Sequence, residues 1–119
     1  MNIDEITENL EELIQEKSEA LNTVNIAVNE YVTLKNEYTT KSNEIRINPE
    51  AIKENLELSK LPTEKQTQAY IDNELSDLVQ DMLIADENIK SWKREVDLLN
   101  DKISVENYRV KMLMEDYVK

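Results

Sequence analysis

Carboxylates are the most abundant side chains of this sequence that could carry out chemistry. The chain has 26 acidic residues but no histidine and no cysteine. A di-metal carboxylate site in a helical bundle needs Glu-x-x-His motifs, and imidazole or thiol catalysis needs His or Cys. The sequence also lacks glycine, which phosphate-binding loops and nucleophile elbows need where the backbone approaches a ligand. We therefore predict that the protein is not an enzyme and uses no cofactor or metal.

The charge of the chain argues against two classes of partner. The formal net charge is −12 at pH 7, from 26 acidic and 14 basic residues. Nucleic acids and anionic membranes attract proteins through clustered basic residues, and this sequence has no strongly basic cluster. It also has no apolar run long enough to span a membrane and no secretion signal. We expect no direct nucleic-acid binding, no membrane association and a cytoplasmic location.

Apolar residues recur with a heptad period in two long segments. They alternate at steps of three and four residues, which places them at positions a and d of a coiled coil; we call these positions the seam. Charged residues interrupt the first seam at Lys17 and Lys41 and the second at Glu106. The first seam comprises Ile3, Ile6, Leu10, Leu13, Lys17, Ala20, Val24, Ala27, Tyr31, Leu34, Tyr38, Lys41 and Ile45. The second comprises Ile71, Leu75, Leu78, Met82, Ala85, Ile89, Trp92, Val96, Leu99, Ile103, Glu106, Val110, Leu113 and Tyr117.

Capping residues mark where the two long helices begin. Asn2 precedes the first seam and can accept hydrogen bonds from the first turn. We predict the first helix over about residues 2–46. Thr63 followed by Gln66 matches a capping box. This pattern predicts a second long helix over about residues 63–117.

The segment between the long helices carries its own helix signal. Asn48 followed by Pro49 is typical of a cap and a first helical position. We predict a short helix over about residues 49–58. Ile52 and Leu56 are one turn apart and are expected to face inward.

The three elements together predict an all-α fold. Pro49 and Pro62 bracket the short helix, and two sharp breaks so close together favour a reversal of the chain. We predict one domain over residues 1–119, consisting of a long antiparallel helical hairpin, or coiled coil, with a short helix in its connector. We further expect this hairpin to assemble into an oligomeric bundle.

That expectation rests on a second apolar row on the long C-terminal helix. The row occupies position c and comprises Ile84, Leu98, Val105 and Met112. Pairing through the seams would leave this row uncovered, and exposed apolar patches often mark interfaces. We predict an interface here, most simply between two copies that form a four-helix bundle, or with another protein. Alternatively, cover by the short helix or scattered exposure accounts for part of the row.

The charged seam positions suggest a register for the two helices. If the helix ends are flush, Lys17 lies opposite Glu106. Their heads could then bond while their stems lie along the apolar groove, and buried polar residues are known to fix register. The alternative is that both side chains extend independently to water.

The stretch from Leu61 to Met114 has a recognisable pattern. It combines a break at Pro62, a Thr-Glu-Lys-Gln start and a long charged helix with few aromatic residues. In this pattern it resembles small acidic helical proteins of tailed phages and prophages of low-GC Gram-positive bacteria, often encoded near recombination or replication genes. The resemblance implies a phage protein in the bacterial host cytoplasm. It brings no functional residues, because that family has no defined active site.

Three functions fit these observations. The leading hypothesis is a non-enzymatic protein–protein interaction module, phage-encoded, that acts as an accessory factor in DNA replication or recombination. Its partner would be another protein, a second copy of the chain, or both. The second is an acidic inhibitor that imitates DNA, such as an anti-restriction or anti-CRISPR factor, because carboxylates along a helix can occupy a basic channel. The third is a structural or chaperone-like coiled-coil hairpin, although the connector lacks the strand pairs expected there.

Overall fold

The computed structural model describes residues 2–118, with the side chains of residues 2–116. Its elements are α1 (Ile3–Arg46), α2 (Pro49–Asn55), α3 (Glu64–Glu74) and α4 (Ser76–Val118). No strand occurs within this described range, so the all-α prediction is confirmed. No described helix is long and apolar enough to cross a membrane. The side chain of Tyr117, the last predicted seam residue, lies outside the described residues.

The predicted caps of the long segments are present. Asn2 Oδ1 accepts a hydrogen bond of 2.9 Å from the backbone N–H of Glu5. Thr63 and Gln66 form a complete capping box: the Gln66 N–H donates to Thr63 Oγ1 at 3.2 Å, and the Thr63 N–H donates to Gln66 Oε1 at 2.9 Å. Each bond satisfies a backbone donor that has no partner inside its helix.

The short helix α2 begins as predicted. Asn48 is its N-cap and accepts from the Ala51 N–H at 3.4 Å, and Pro49 is the first helical residue. Ile52 is 1% exposed, so its predicted inward position is confirmed. α2 packs against α3, where Asn55 Nδ2 donates a hydrogen bond of 2.8 Å to the Tyr70 hydroxyl.

The end of α2 differs from the prediction. The helix stops at Asn55 rather than near residue 58, and Leu56 is 41% exposed rather than inward. The cause is a Schellman motif: the Leu58 N–H bonds the Lys53 carbonyl at 3.0 Å, and the Glu57 N–H bonds the Glu54 carbonyl at 3.2 Å. This motif requires a left-handed residue just past the helix, and Glu57 has a φ of 53°. The chain therefore leaves the helical path before Leu56 can complete the inward face.

The predicted second long helix is divided into α3 and α4. The division falls at Leu75, whose φ of −103° and ψ of 25° are not helical. Hydrogen bonds of the helical type continue on both sides, from the Leu75 N–H to Ile71 O at 2.8 Å and from the Val79 N–H to Leu75 O at 2.9 Å. The sequence has no proline or glycine at this point, so it gives no signal for the break.

The helices pack into two compact units. Unit 1 contains the described residues of 1–27 and 88–119, and unit 2 contains residues 28–87. Both units draw on α1 and α4. This division leaves the single-domain prediction untested.

The seams supply the core of both units. Apart from Ile52 in α2, every buried hydrophobic residue described occupies a predicted a or d position. In unit 1 these residues are Ile6, Ala20, Val24, Ala27, Ile89, Val96 and Leu99. In unit 2 they are Ile71 and Ala85. Burial of apolar surface, at about 25 cal/mol per Å², is therefore concentrated on the stripe that the heptads define.

The left-handed conformation of Glu57 generates a stability prediction. A residue with a Cβ is strained there by about 1–2 kcal/mol, and glycine removes this strain but gains conformational freedom when unfolded. We expect Glu57→Gly to raise the free energy of unfolding by about 0.5–1 kcal/mol net, measured by urea denaturation. Glu54→Gly, inside α2, should lower it by about 0.5–1 kcal/mol. Equal destabilisation by both substitutions would contradict the Schellman assignment.

Candidate functional site

Unit 2 contains an open groove with both aromatic and acidic residues on its walls. α1 contributes Tyr31 and Tyr38, and α3 contributes Gln68 and Asp72. α4 contributes Val79, Met82, Leu83 and Asp86. The groove has a volume of about 400 Å³, which is within the range of small-ligand sites. We call it the tyrosine groove.

A hydrogen-bond network fixes one wall of the tyrosine groove. The Tyr38 hydroxyl donates to Asp72 Oδ1 at 2.7 Å and accepts from Gln68 Nε2 at 2.8 Å. Gln68 Nε2 also donates to Asp72 Oδ1 at 2.9 Å. The three side chains therefore form a closed set that links α1 to α3.

Arg46 extends this network to the end of α1. Its Nη1 donates to Glu64 Oε1 at 2.7 Å, and its Nη2 donates to Gln68 Oε1. Gln68 thus receives a bond from the guanidinium at its oxygen and donates from its nitrogen toward Tyr38 and Asp72. Because both ends of the amide are engaged, the position of Gln68 is fixed by charge-assisted and neutral bonds together.

The environment of Tyr38 keeps its hydroxyl protonated. Burial raises the pKa of Tyr38 above its ordinary value of 10.0, and the bond to Asp72 raises this pKa further. The bond from Gln68 and the nearby Arg46 charge oppose this rise in pKa but do not reverse it. A protonated hydroxyl is the form that can donate to a carboxylate, so the network is compatible with the whole neutral pH range.

The residues of the predicted interface row are all exposed. In unit 1, Leu98 is 48% exposed, Val105 is 51% exposed and Met112 is 41% exposed. Ile84 belongs to unit 2 and is 62% exposed. Leu98, Val105 and Met112 follow one another at intervals of seven residues along α4, so they share one face of that helix. Their role as an interface stays a prediction.

The two residues of the predicted register pair lie in unit 1 but have different surroundings. Glu106 is 8% exposed, and its Oε1 accepts a bond of 2.8 Å from Nη1 of Arg109. Its Oε2 is buried with no hydrogen-bond partner. Lys17 is half-buried, and no ion pair between Lys17 and Glu106 occurs among the described residues.

The groove walls of unit 1 show which residues of α1 and α4 lie near each other. Ile6 lines a groove with residues 108, 109, 112 and 113. A flush register would instead place Ile6 opposite roughly residues 114–117, about one helical turn further along. Glu16 and Ala20, which flank Lys17 on the same helix, line a second groove with Leu99. The role of Lys17 and Glu106 in fixing the register stays a prediction.

The tyrosine groove network is a feature that the sequence reasoning missed. The heptad pattern places Tyr31 and Tyr38 in the first seam, but it does not predict their polar partners. A signal is present: Asp72, Val79 and Asp86 occupy position e at intervals of seven residues, along the flank of the second seam. No cluster of three or more carboxylates suited to a metal ion occurs among the described residues, in the groove or outside it.

Comparison with protein-family models, curated proteins and solved structures finds no match to this chain. The fold itself defines the class: this is an all-α helical protein. Its surface carries the tyrosine groove and the exposed α4 row. The resemblance of residues 61–114 to phage proteins stays a prediction.

Tyr38 generates a prediction about alkaline stability. Because its pKa is raised in the fold, the Tyr38 network contributes stability below pH 10 that is lost as the pH rises through the folded pKa. We expect Tyr38→Phe to lower the free energy of unfolding at pH 7 by about 0.5–1.5 kcal/mol. The loss should shrink above pH 10, in urea denaturation series at each pH.

The matched control for this experiment is Tyr108→Phe, since Tyr108 is 63% exposed. This control should leave unfolding at pH 7 unchanged. A Tyr38→Phe loss that is the same at pH 7 and above pH 10 would contradict a role for the protonated hydroxyl.

Proposed function

We propose that this chain is a non-enzymatic helical module for protein–protein interaction, located in the cytoplasm. The observation that carries the proposal is the exposed row of Leu98, Val105 and Met112 on α4. A row of three large apolar side chains, each more than two-fifths exposed, is the kind of surface that stable partners cover. The absence of histidine and cysteine from the sequence supports the non-enzymatic part of the proposal.

We propose in addition that α1 runs antiparallel to the segments with which it pairs. In unit 1, Ile6 lines a groove with Met112, whereas Ala20 lines one with Leu99. Partner numbers thus fall as α1 numbers rise, which is the order expected of antiparallel helices. In unit 2 the bonds of Tyr38 to Asp72 and of Arg46 to Glu64 follow the same order.

The simplest occupant of the α4 row is a second copy of the chain. Two copies that cover their rows reciprocally would form a two-fold four-helix bundle, because a two-fold axis presents the same surface from both sides. Such a dimer removes the row from water. Because each side chain is already about half covered, its complete burial is favourable by about 0.7–1.5 kcal/mol. This gain would have to exceed the repulsion between two chains that each carry a net charge of −12.

Substitution in the row tests this proposal. We expect wild-type protein to sediment above the mass of one 14.0 kDa chain, and Val105→Glu to shift it to the monomer by burying a charge in the interface. Ser104→Glu is the matched control, because it adds the same charge to the neighbouring exposed position. A wild-type monomer would overturn self-association. Equal effects of the two substitutions would overturn the role of the row.

The biological process is also part of the proposal. We propose that the module is an accessory factor in phage DNA replication or recombination, which rests on the resemblance of residues 61–114 to small phage proteins. It would reach DNA only through a protein, because its own net charge of −12 repels phosphates. Reconstitution with a purified single-strand annealing protein tests this link, with Val105→Glu as the variant expected to lose the complex.

A second function, imitation of DNA by an acidic inhibitor, is favoured by the distribution of carboxylates. Of the described acidic residues, only Asp86 and Glu106 are not exposed. Carboxylates on helical surfaces can compete with phosphates for a basic channel. This function predicts that affinity for the target falls steeply between 50 and 200 mM salt, by about 10³-fold or more. Apolar docking predicts little change. Binding assays at a series of salt concentrations therefore separate the two functions.

A further inference from the structure

We propose that the tyrosine groove of unit 2 binds an arginine side chain presented by an apolar segment of a partner protein. This site is on different residues from the α4 row, so it goes beyond the interface proposed above. Three features of the groove support the proposal: an Asp72 oxygen that makes no hydrogen bond to the described residues, two tyrosines from α1, and an apolar margin formed by Val79, Met82 and Leu83.

The carboxylate that makes the groove attractive to a cation is Asp72. It is exposed, and both of its hydrogen bonds reach Oδ1, from Tyr38 and from Gln68. Among the described residues Oδ2 makes no hydrogen bond. A carboxylate held at one oxygen by two donors presents the other oxygen in a fixed direction, which suits a guanidinium.

The tyrosines explain why arginine fits better than lysine. Tyr31 and Tyr38 are one heptad apart on α1 and both line the groove. The bonds of the Tyr38 hydroxyl to Asp72 and Gln68 fix its ring beside the carboxylate. A guanidinium is planar and weakly hydrated, so it can stack on an aromatic ring while it donates to a carboxylate. An ammonium is more strongly hydrated and cannot stack in this way.

The apolar margin explains why the cation should come from a protein. Val79, Met82 and Leu83 line the groove, and Leu83 is 62% exposed. A small free amine would satisfy Asp72 and leave Leu83 in water. An arginine with apolar neighbours in its own chain would bond the carboxylate and cover Leu83 together. The combination of acid and apolar surface thus selects a basic residue within an apolar segment.

The charges around the groove favour a partner of different sequence. Arg46 is nearby, but its guanidinium is already bonded to Glu64 and Gln68. Arg46 therefore does not occupy the groove, and Glu64 compensates its positive charge. A second copy of this chain would bring a net charge of −12 to an acidic surface. A basic partner is attracted by the same field that repels a copy.

Three capped tripeptides test the site on the full wild-type chain. The probes are Leu-Arg-Leu, Gly-Arg-Gly and Leu-Gln-Leu, titrated into ¹⁵N-labelled protein. We expect Leu-Arg-Leu to bind most tightly and to shift the amide signals of Tyr31, Gln68, Asp72 and Leu83. Equal affinity for Gly-Arg-Gly would contradict a contribution of the apolar margin to binding. Equal affinity for Leu-Gln-Leu would contradict recognition of the cation.

Paired substitutions assign the effect to the groove. Asp72→Asn keeps an oxygen for Tyr38 and Gln68 but removes the charge, and should weaken Leu-Arg-Leu binding about two- to fivefold. Asp77→Asn, on an exposed acid outside the groove, should change it less than this. Tyr31→Leu should weaken binding about two- to fivefold, whereas Tyr108→Leu, in unit 1, should not. Equal losses within either pair would mean that general charge or aromatic content, rather than the groove, attracts the peptide.

Two further measurements separate the alternative occupants. Spermidine that binds as tightly as Leu-Arg-Leu and shifts the same signals would identify a free amine as the ligand and overturn the protein partner. In Val105→Glu, which removes the proposed α4 interface, groove signals that still move with protein concentration would identify a second copy in the groove and overturn a partner of different sequence. Val105→Glu should leave peptide binding unchanged, so loss of the α4 interface and loss of the groove are distinguishable.

Discussion

The apolar seam is the constraint on which the rest of this structure depends. Apart from Ile52, every buried hydrophobic residue described lies at a position that the heptad pattern assigns to a or d. A stripe this narrow buries only a small part of each helix surface. Its contribution to stability therefore depends on the length of the paired helices rather than on the width of the buried face. Glycine inside such helices would cost about 1 kcal/mol relative to alanine, which is consistent with its absence from the sequence. The helix faces outside the seam do not contribute to the core, so they can carry charged residues and binding sites.

Local signals in the sequence predicted where the helices begin. They did not predict the features that depend on contacts between helices. The caps at Asn2, Asn48 and Thr63 depend on residues within three positions, so their chemistry is legible in the sequence. The tyrosine groove depends on which residue of α3 lies beside Tyr38. A heptad pattern is unchanged by a shift of seven residues, so periodicity selects the buried face but does not fix the register. The Leu75 break and the left-handed Glu57 were missed because neither has the proline or glycine that normally marks such a position.

The half-buried Tyr38 and the buried Glu106 show how differently polar residues within the seams can be satisfied. Tyr38 has its hydroxyl satisfied as donor and acceptor by Asp72 and Gln68. Glu106 has one oxygen bonded to Arg109 and one buried without a hydrogen-bond partner. A satisfied group specifies which helices meet, whereas an unsatisfied oxygen lowers stability by about 1–3 kcal/mol. Register in unit 2 is thus supported by bonds between helices, while the bond at Glu106 lies within α4 and specifies no neighbour.

The acidic surface and the apolar surfaces act over different distances, and this separates their roles in binding. Charge acts over about 8–10 Å in physiological salt, so on the functions proposed above a net charge of −12 would attract basic partners before contact. Apolar contact acts only when water is removed, so the α4 row and Leu83 would determine how long a partner stays. A partner with a basic residue among apolar ones satisfies both requirements, whereas DNA satisfies neither. On this proposal, the carboxylates that repel phosphates would be the same groups that guide a protein to the tyrosine groove.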